Sequence, residues 1–473
     1  MSVHAHRLAA VTRREPRSSP SGGAARALAT LAVIALTALL VVVTLAGLWW
    51  LALAAAGFVL ALAALGRTRM ITVAMMLVFA TSPVWKGIAS SPSAPITPTD
   101  VLLILAILLL VPDLLQRRLP LPALYVAGVL VLLVTGVVSS TLSEVPSQAL
   151  INVVQWMFAL VVVPCAIVIW SPSLRMIDVL LWCFVGGQMI SLGYGLVSGP
   201  TAGTNRYQGL SHHPNAFAEA ALVSVAMLLY LWFRHRSLVA RLVIVACGLA
   251  GAEAIALSGS RSAAVVLAAL IVMVPFVERS AVSGFAVAIG GSLAVLGLMQ
   301  VVGTDVAGSG NVIARLAGQG DAAAANEARS SALADSFEFI RAHPLLGNGY
   351  TDTILVLHDN FTEVFAAAGL IGFLGYVAAM YPLARPLFGT GPHRRLSYVV
   401  WVYLGLGVAI PSLWDRTLWV PIGLAMMAAV GSVRSTVPKR VPVGTVLDSG
   451  DHRGARVSSR NPTSRRDAAR GLR

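Results

Sequence analysis

The side chains best suited to chemistry in this sequence fall just inside, or beside, long apolar stretches. Three carboxylates, Glu219, Glu253 and Glu363, lie close to the ends of such stretches. Ionisable groups there are costly in hydrocarbon and point to function. The connecting segments around them carry Arg206, His212, His213, Arg261, His358, Asp415 and Arg416. Two or more arginines at a membrane surface suit a phosphate or diphosphate, gripped through paired N–H donors. A neutral histidine beside them is a natural proton acceptor near pH 7. His212 and His213 are adjacent and lack the ligand spacing of a metal site, so neither a metal nor an organic cofactor is expected. Structural roles compete with these. A single Glu can pair with an Arg across helices, Arg261 can cap the membrane interface, and His358 can be an interfacial polar residue. His212 and His213 read as loop residues before they read as catalysts. Packing alone, however, gives the whole group no reason to favour one leaflet.

The elements that position these residues follow from composition. Of 473 residues, 57% are hydrophobic and 11% charged, against about 25% charged in a soluble chain. The expectation is an all-α, polytopic membrane helical bundle of about 12–14 transmembrane helices, with one long extracytoplasmic loop carrying short helices. Spans are placed at about 27–46, 48–65, 70–89, 100–115, 121–139, 150–170, 175–197, 215–233, 238–257, 261–277, 281–302, 358–382, 396–412 and 417–433. A basic cytoplasmic tail, 1–26, precedes this bundle at 27–433, and a disordered basic cytoplasmic tail, 434–473, follows it. The first apolar run is read as an uncleaved anchor.

Orientation comes from the arginines. The net charge is +14, with Lys86 and Lys439 the sole lysines, a bias that fits a GC-rich bacterial genome. Arg67, Arg69, Arg117, Arg118, Arg175, Arg234, Arg236, Arg241, Arg279, Arg385, Arg394 and Arg395 occupy alternate connections. The opposite connections, 90–99, 139–148, 198–215, 258–260, 303–357 and 413–416, are rich in Ser, Thr, Pro and Gly and poor in Arg. That is the positive-inside pattern, with both termini cytoplasmic; it accounts for the basic charge without nucleic acid as a partner. Glu219, Glu253 and Glu363 then share the outer side, and the inner leaflet offers mainly Asp178. Cys165, Cys183 and Cys247 read as small buried hydrophobes. The outer loop 303–357 exceeds what a helix–helix connection needs. Within it, Leu333, Phe337 and Ile340 are spaced for an amphipathic helix over 327–340 at the membrane surface.

Several motifs on the outer side resemble one family. Arg206-Tyr-Gln-Gly-Leu-Ser-His-His-Pro-Asn215 is similar to the Arg…Gly…Pro-Asn loop of the O-antigen ligase/polymerase superfamily, and Leu257-Ser-Gly-Ser-Arg-Ser262 to its Leu-Ser-x-Ser-Arg motif. His343-Pro-Leu-Leu-Gly-Asn-Gly349, His358-Asp-Asn-Phe-Thr-Glu363 and Gly369-Leu-Ile-Gly372 resemble its later series. The likeness spans roughly residues 200–380, and its specificity lies in the order of motifs that are individually weak. It implies a metal-independent, inverting glycosyltransferase of the bacterial cytoplasmic membrane that acts in surface polysaccharide biosynthesis. Such an enzyme moves or polymerises glycan from a polyprenyl-diphosphate-linked donor onto a glycan, lipid or protein acceptor, among membrane lipids and polysaccharide-assembly partners. Under that resemblance Arg206 and Arg261 would bind the diphosphate, and His358 would deprotonate or orient the acceptor hydroxyl. Of the motif residues Asn215 and Glu363 would support them, and His343 would shape the loop with Pro344; Glu219 and Glu253, from the outer-side group of carboxylates, are further supporting candidates. Position 359 departs from the family: it is Asp where Asn is usual, and a carboxylate there would act on His358.

Two other functions compete. A transporter or flippase for a lipid-linked glycan or small anion would want broken helices and a polar site near the bilayer midplane. A non-catalytic envelope scaffold would leave the outer polar group dispensable.

Overall fold

A computed structural model of the chain describes residues 62–84, 97–117, 119–203, 205–279, 312–316, 322–354, 359–413 and 415–436, with Gly57 and Leu60. The spans expected at 27–46 and 281–302, most of that at 48–65, both tails apart from residues 434–436, and His358 lie outside the described residues.

The described chain is helical, with no strand and one isolated bridge, Thr201 to Arg206. In chain order the helices are α1 (Arg67–Thr81), α2 (Pro98–Gln116), α3 (Ala123–Thr141), α4 (Pro146–Trp170), α5 (Leu174–Ser198), α6 (Pro214–Arg234), α7 (Leu238–Ser258) and α8 (Arg261–Glu278). Then come α9 (Val312–Leu316), α10 (Ala322–Ala342), α11 (Asn360–Ala384), α12 (Tyr398–Leu406) and α13 (Arg416–Thr436). Among the described residues eight helices are long and apolar enough to cross a membrane. This is an all-α, multi-pass membrane bundle. Burial ranks its members: α6 is 78% buried over its apolar window, whereas α7 and α8 are 22% buried. The first is therefore central, and the other two turn most of their apolar surface outward.

Where lipid replaces water, helices associate through close packing of small residues. Gly128 of α3 and Gly375 of α11 show it: a Cβ on Gly128 would lie 2.5 Å from both the Ala379 nitrogen and the Gly375 carbonyl oxygen. The two helices run antiparallel, since Gly372, nearer the start of α11, meets Thr135, nearer the end of α3. In α4 the turn Phe158–Val162 widens to π geometry just before Pro164. Pro164 has no N–H for the Leu160 carbonyl; the buried Tyr125 hydroxyl of α3 donates to it instead.

Two expected spans differ from what forms. The segment 396–412 is helical only to Leu406, after a 3-10 turn at Arg394–Ser397. Its end is taken by α11, where the Asn360 amide donates to the Gly407 carbonyl at 2.7 Å. The Asn360 side chain also exchanges hydrogen bonds with Ser412, 2.8 Å from its nitrogen and 3.2 Å from its hydroxyl. The segment 358–382 is not one continuous helix. Gly369, at φ 67°, breaks α11 in the middle. The amphipathic helix is present as α10, with Leu333 and Phe337 exposed as an interfacial helix requires. The three cysteines are free and half-buried rather than fully buried.

Hydrogen bonds sort the helix termini into two ends. At one, Asp100 caps α2 with Thr97 and pairs with Arg416 at the start of α13, and Thr417 donates to the Ser82 carbonyl at 2.9 Å. At the other, Asp178 pairs with Arg234 at 3.1 Å, Arg67 pairs with Asp113, and buried Glu278 binds Arg394, Arg395 and the Tyr398 hydroxyl. That second end is richer in buried charge than the sequence expectation, which gave it mainly Asp178. Glu278 sits at the last residue of an apolar helix, where sequence shows no partner; the partners lie 116 and 117 residues away.

Candidate functional site

Arg206 is 6% exposed and ties three elements together. Its Nε donates to the Ser258 carbonyl at 2.7 Å, at the end of α7, and its Nη2 to Asn215 Oδ1 at 2.7 Å, in the first turn of α6. The backbone runs alongside: Tyr207 donates to the Leu257 carbonyl at 3.0 Å, and Thr201 to the Arg206 carbonyl at 2.7 Å. Arg261 begins α8 after Ser260, three residues beyond Ser258. Arg206, Asn215 and the turn that leads into Arg261 therefore form one structure.

The sequence expectations are silent on Arg315, which the structure adds to this turn. Carried by α9, it is 5% exposed and its Nη1 donates to the Gly259 carbonyl at 3.0 Å. A signal existed: Arg315 is an arginine in a connection on the Arg-poor side. His213 caps α6, its Nδ1 accepting from the Asn215 amide at 3.1 Å. His213 is exposed, and the packing around it, then Arg206, His212 and Arg315, lower its imidazole to about 4. Burial and then Arg416 lower His212 as well.

Glu219 is 2% exposed on α6, and its Oε2 has no hydrogen-bond partner among the described residues. Asp415 lies near enough to act on it. Asp415 itself caps α13, accepting from the Thr417 amide at 2.7 Å; burial pushes its carboxyl up, while the Thr417 bonds and Arg416 pull it down. Arg416 is held by Asp100. Glu253 is half-buried on α7.

The third carboxylate has different surroundings. Glu363, 1% exposed on α11, faces Tyr350, Tyr376 and Tyr403. Trp156 completes the cluster, its ring 5.2 Å from that of Tyr350 and 6.1 Å from that of Tyr376. Burial, then Tyr376 and Glu363, push the Tyr350 phenol up. Asp359 is the N-cap of α11: Oδ1 accepts from the Phe361 and Thr362 amides at 2.9 and 2.8 Å, and Oδ2 meets the Thr362 hydroxyl. Its carboxylate is committed to the helix start, which supplies a structural reason for Asp at this position.

The segment 343–350 fills the break in α11. Leu370 and Ile371 donate to the Pro344 and Leu345 carbonyls at 2.9 and 3.3 Å. Asn348 and Gly349 donate to Ala366 and Ala367 at 2.8 and 2.9 Å. His343 is exposed, and its carbonyl accepts from Gly347 at 2.9 Å, so its backbone closes the turn. Asn152 of α4 fixes the far end, donating to the Tyr350 carbonyl at 2.9 Å and to Asp352 at 3.0 Å. Among the described residues no three His, Cys, Asp or Glu side chains converge as metal ligands. The chain matches no protein-family model, and no curated protein is significantly similar to it.

Proposed function

We propose that this protein is a membrane glycosyltransferase of the O-antigen ligase/polymerase type. It takes glycan from a polyprenyl-diphosphate-linked donor at the outer face of the bacterial cytoplasmic membrane. The observation that carries the reading is the joining of Arg206 to the Ser258 carbonyl, which ties it to the turn leading into Arg261. Guanidinium forks fixed at a membrane surface suit a diphosphate leaving group. In the reaction the acceptor hydroxyl oxygen bonds to the anomeric carbon as the bond from that carbon to the diphosphate oxygen breaks. The electron pair leaves on the diphosphate, where the arginines stabilise the added charge. The hydroxyl proton passes to His358. The energy is in the donor, as chemistry outside the cell requires.

The broken α11 favours a transporter as the second reading, because transporter sites are lined by interrupted helices. Against it, the freed backbone groups of α11 are taken up by residues 344–349 rather than facing a path. Deleting the gene and complementing it with His358→Ala or Arg261→Ala separates the readings. Transfer chemistry predicts loss of surface glycan with accumulation of lipid-linked donor outside the cell. Wild-type glycan from both variants overturns it.

A further inference from the structure

The end of the bundle that holds Glu278 carries more positive charge than its carboxylates balance. Arg394 and Arg395 share the one carboxylate of Glu278, and Asp178 answers Arg234 alone. Arg241, Arg279 and Arg385 pair with no carboxylate among the described residues. We propose that this surplus forms a binding site for an anionic phospholipid, seated where the ends of α8 and α11 meet. Arg394 joins those ends. It pairs with Glu278, the last residue of α8, and its Nη1 donates to the Leu387 carbonyl at 2.9 Å, in the 3-10 turn Arg385–Phe388 that follows α11. Arg279 and Arg385 flank the joint, and both are exposed. The surfaces beside these charges are aromatic. The Arg385 guanidinium lies over Tyr381 at 5.9 Å, that of Arg395 over Phe233 at 4.0 Å, and that of Arg241 over Trp232 at 5.0 Å. A guanidinium lying over a ring keeps the N–H donors of its edge for a phosphate. Tyr381, Phe388 and Phe276 are themselves exposed. Trp401 backs Phe388 edge-on at 5.6 Å, its indole N–H held by the Ala384 carbonyl at 3.1 Å. Membrane insertion asks only that the charge lie on one side, not that it gather at one ring-lined joint. A soluble anion would meet the charge and leave the rings; a neutral lipid would do the reverse. An anionic phospholipid meets both, its phosphate on Arg279 and Arg385 and its chains along Phe276 and Phe388.

The test uses the full chain in neutral detergent, with native mass spectrometry as the readout. Its probes are dioleoylphosphatidylglycerol, dioleoylphosphatidylcholine and glycerol 3-phosphate. Phosphatidylglycerol should bind about tenfold more tightly than phosphatidylcholine, and excess glycerol 3-phosphate should not displace it. Arg279→Gln combined with Arg385→Gln, both at exposed positions, should remove that preference. Arg69→Gln combined with Arg175→Gln takes the same charge from exposed positions on α1 and α5 and should keep it. Equal loss in the two double variants overturns the site and leaves a diffuse basic surface. Equal binding of the two lipids by the unaltered chain overturns it as well. Displacement by glycerol 3-phosphate makes it a site for small anions and overturns the lipid. If the first double variant does not fold, Arg279→Lys with Arg385→Lys keeps the charge and loses the stacked fork. A several-fold weaker preference then supports the site, and an unchanged one overturns it.

Discussion

Asp359 illustrates how a single side chain can be read in two ways. By sequence it stands beside His358 and invites an electrostatic role. By geometry its two oxygens serve the Phe361 and Thr362 amides and the Thr362 hydroxyl at the start of α11. An Asp followed by Asn-Phe-Thr at the head of an apolar run is itself a helix-start signature, so the cap was legible. Asp359→Ala is expected to cost about 1 kcal/mol of stability, whereas Asp359→Asn retains the cap and nearly all of it. Thermal unfolding in detergent, paired with glycan transfer, checks this. If Asp359→Asn keeps its melting temperature and loses transfer, the carboxylate acts on His358 and the cap is a secondary role. Arg206, Asn215 and Arg261 were singled out as motif residues, although the Ser258 carbonyl that Arg206 binds lies 52 residues away. The contacts of Arg315 and Asn360, 56 and 52 residues distant, left no such trace, because no periodicity signals pairs of that separation.

At the level of elements, hydrophobicity located nearly every described helix but could not show where one is interrupted. The apolar pattern of α11 runs without pause through Gly369, so the break leaves no trace in hydropathy. What produces it is backbone: φ 67° at a residue without Cβ, and a loop whose carbonyls approach closely. A Cβ on Gly369 would stand 2.2 Å from the Leu345 carbonyl carbon and oxygen. Gly369→Ala must therefore displace residues 344–346 and carry a positive φ, at about 1–3 kcal/mol for the backbone alone. The expected outcome is a sharp drop in monodisperse protein on size exclusion and a lower melting temperature. Normal yield and melting would mean that the loop is not held in the break. In α12 the converse holds: apolar residues continue to Ile410, yet the helix stops at Leu406. Pro411 has no N–H for the Gly407 carbonyl, and the Asn360 amide supplies the donor instead. Length was overestimated there because the span was carried through Pro411.

Across the whole molecule the two ends of the bundle are built differently. One holds the Arg206–Ser258–Arg315 turn, the loop filling α11 and the start of α13. The other holds ion pairs between helix ends, Asp178 with Arg234 and Glu278 with Arg394 and Arg395. Arginines of the second end are the ones the positive-inside pattern assigns to the cytoplasm. The function proposed above requires the first end outside, where a lipid-linked donor and its acceptor meet. With Cys165, Cys183 and Cys247 replaced, two reporter cysteines separate the ends: Glu327→Cys on exposed α10, and Arg236→Cys in the connection between α6 and α7, also exposed. In intact cells a membrane-impermeant maleimide should label the first and not the second. The second should react only after permeabilisation. The reverse labelling would put Arg206 and Arg261 on the cytoplasmic side, and the outer-face transfer reaction would fall with it.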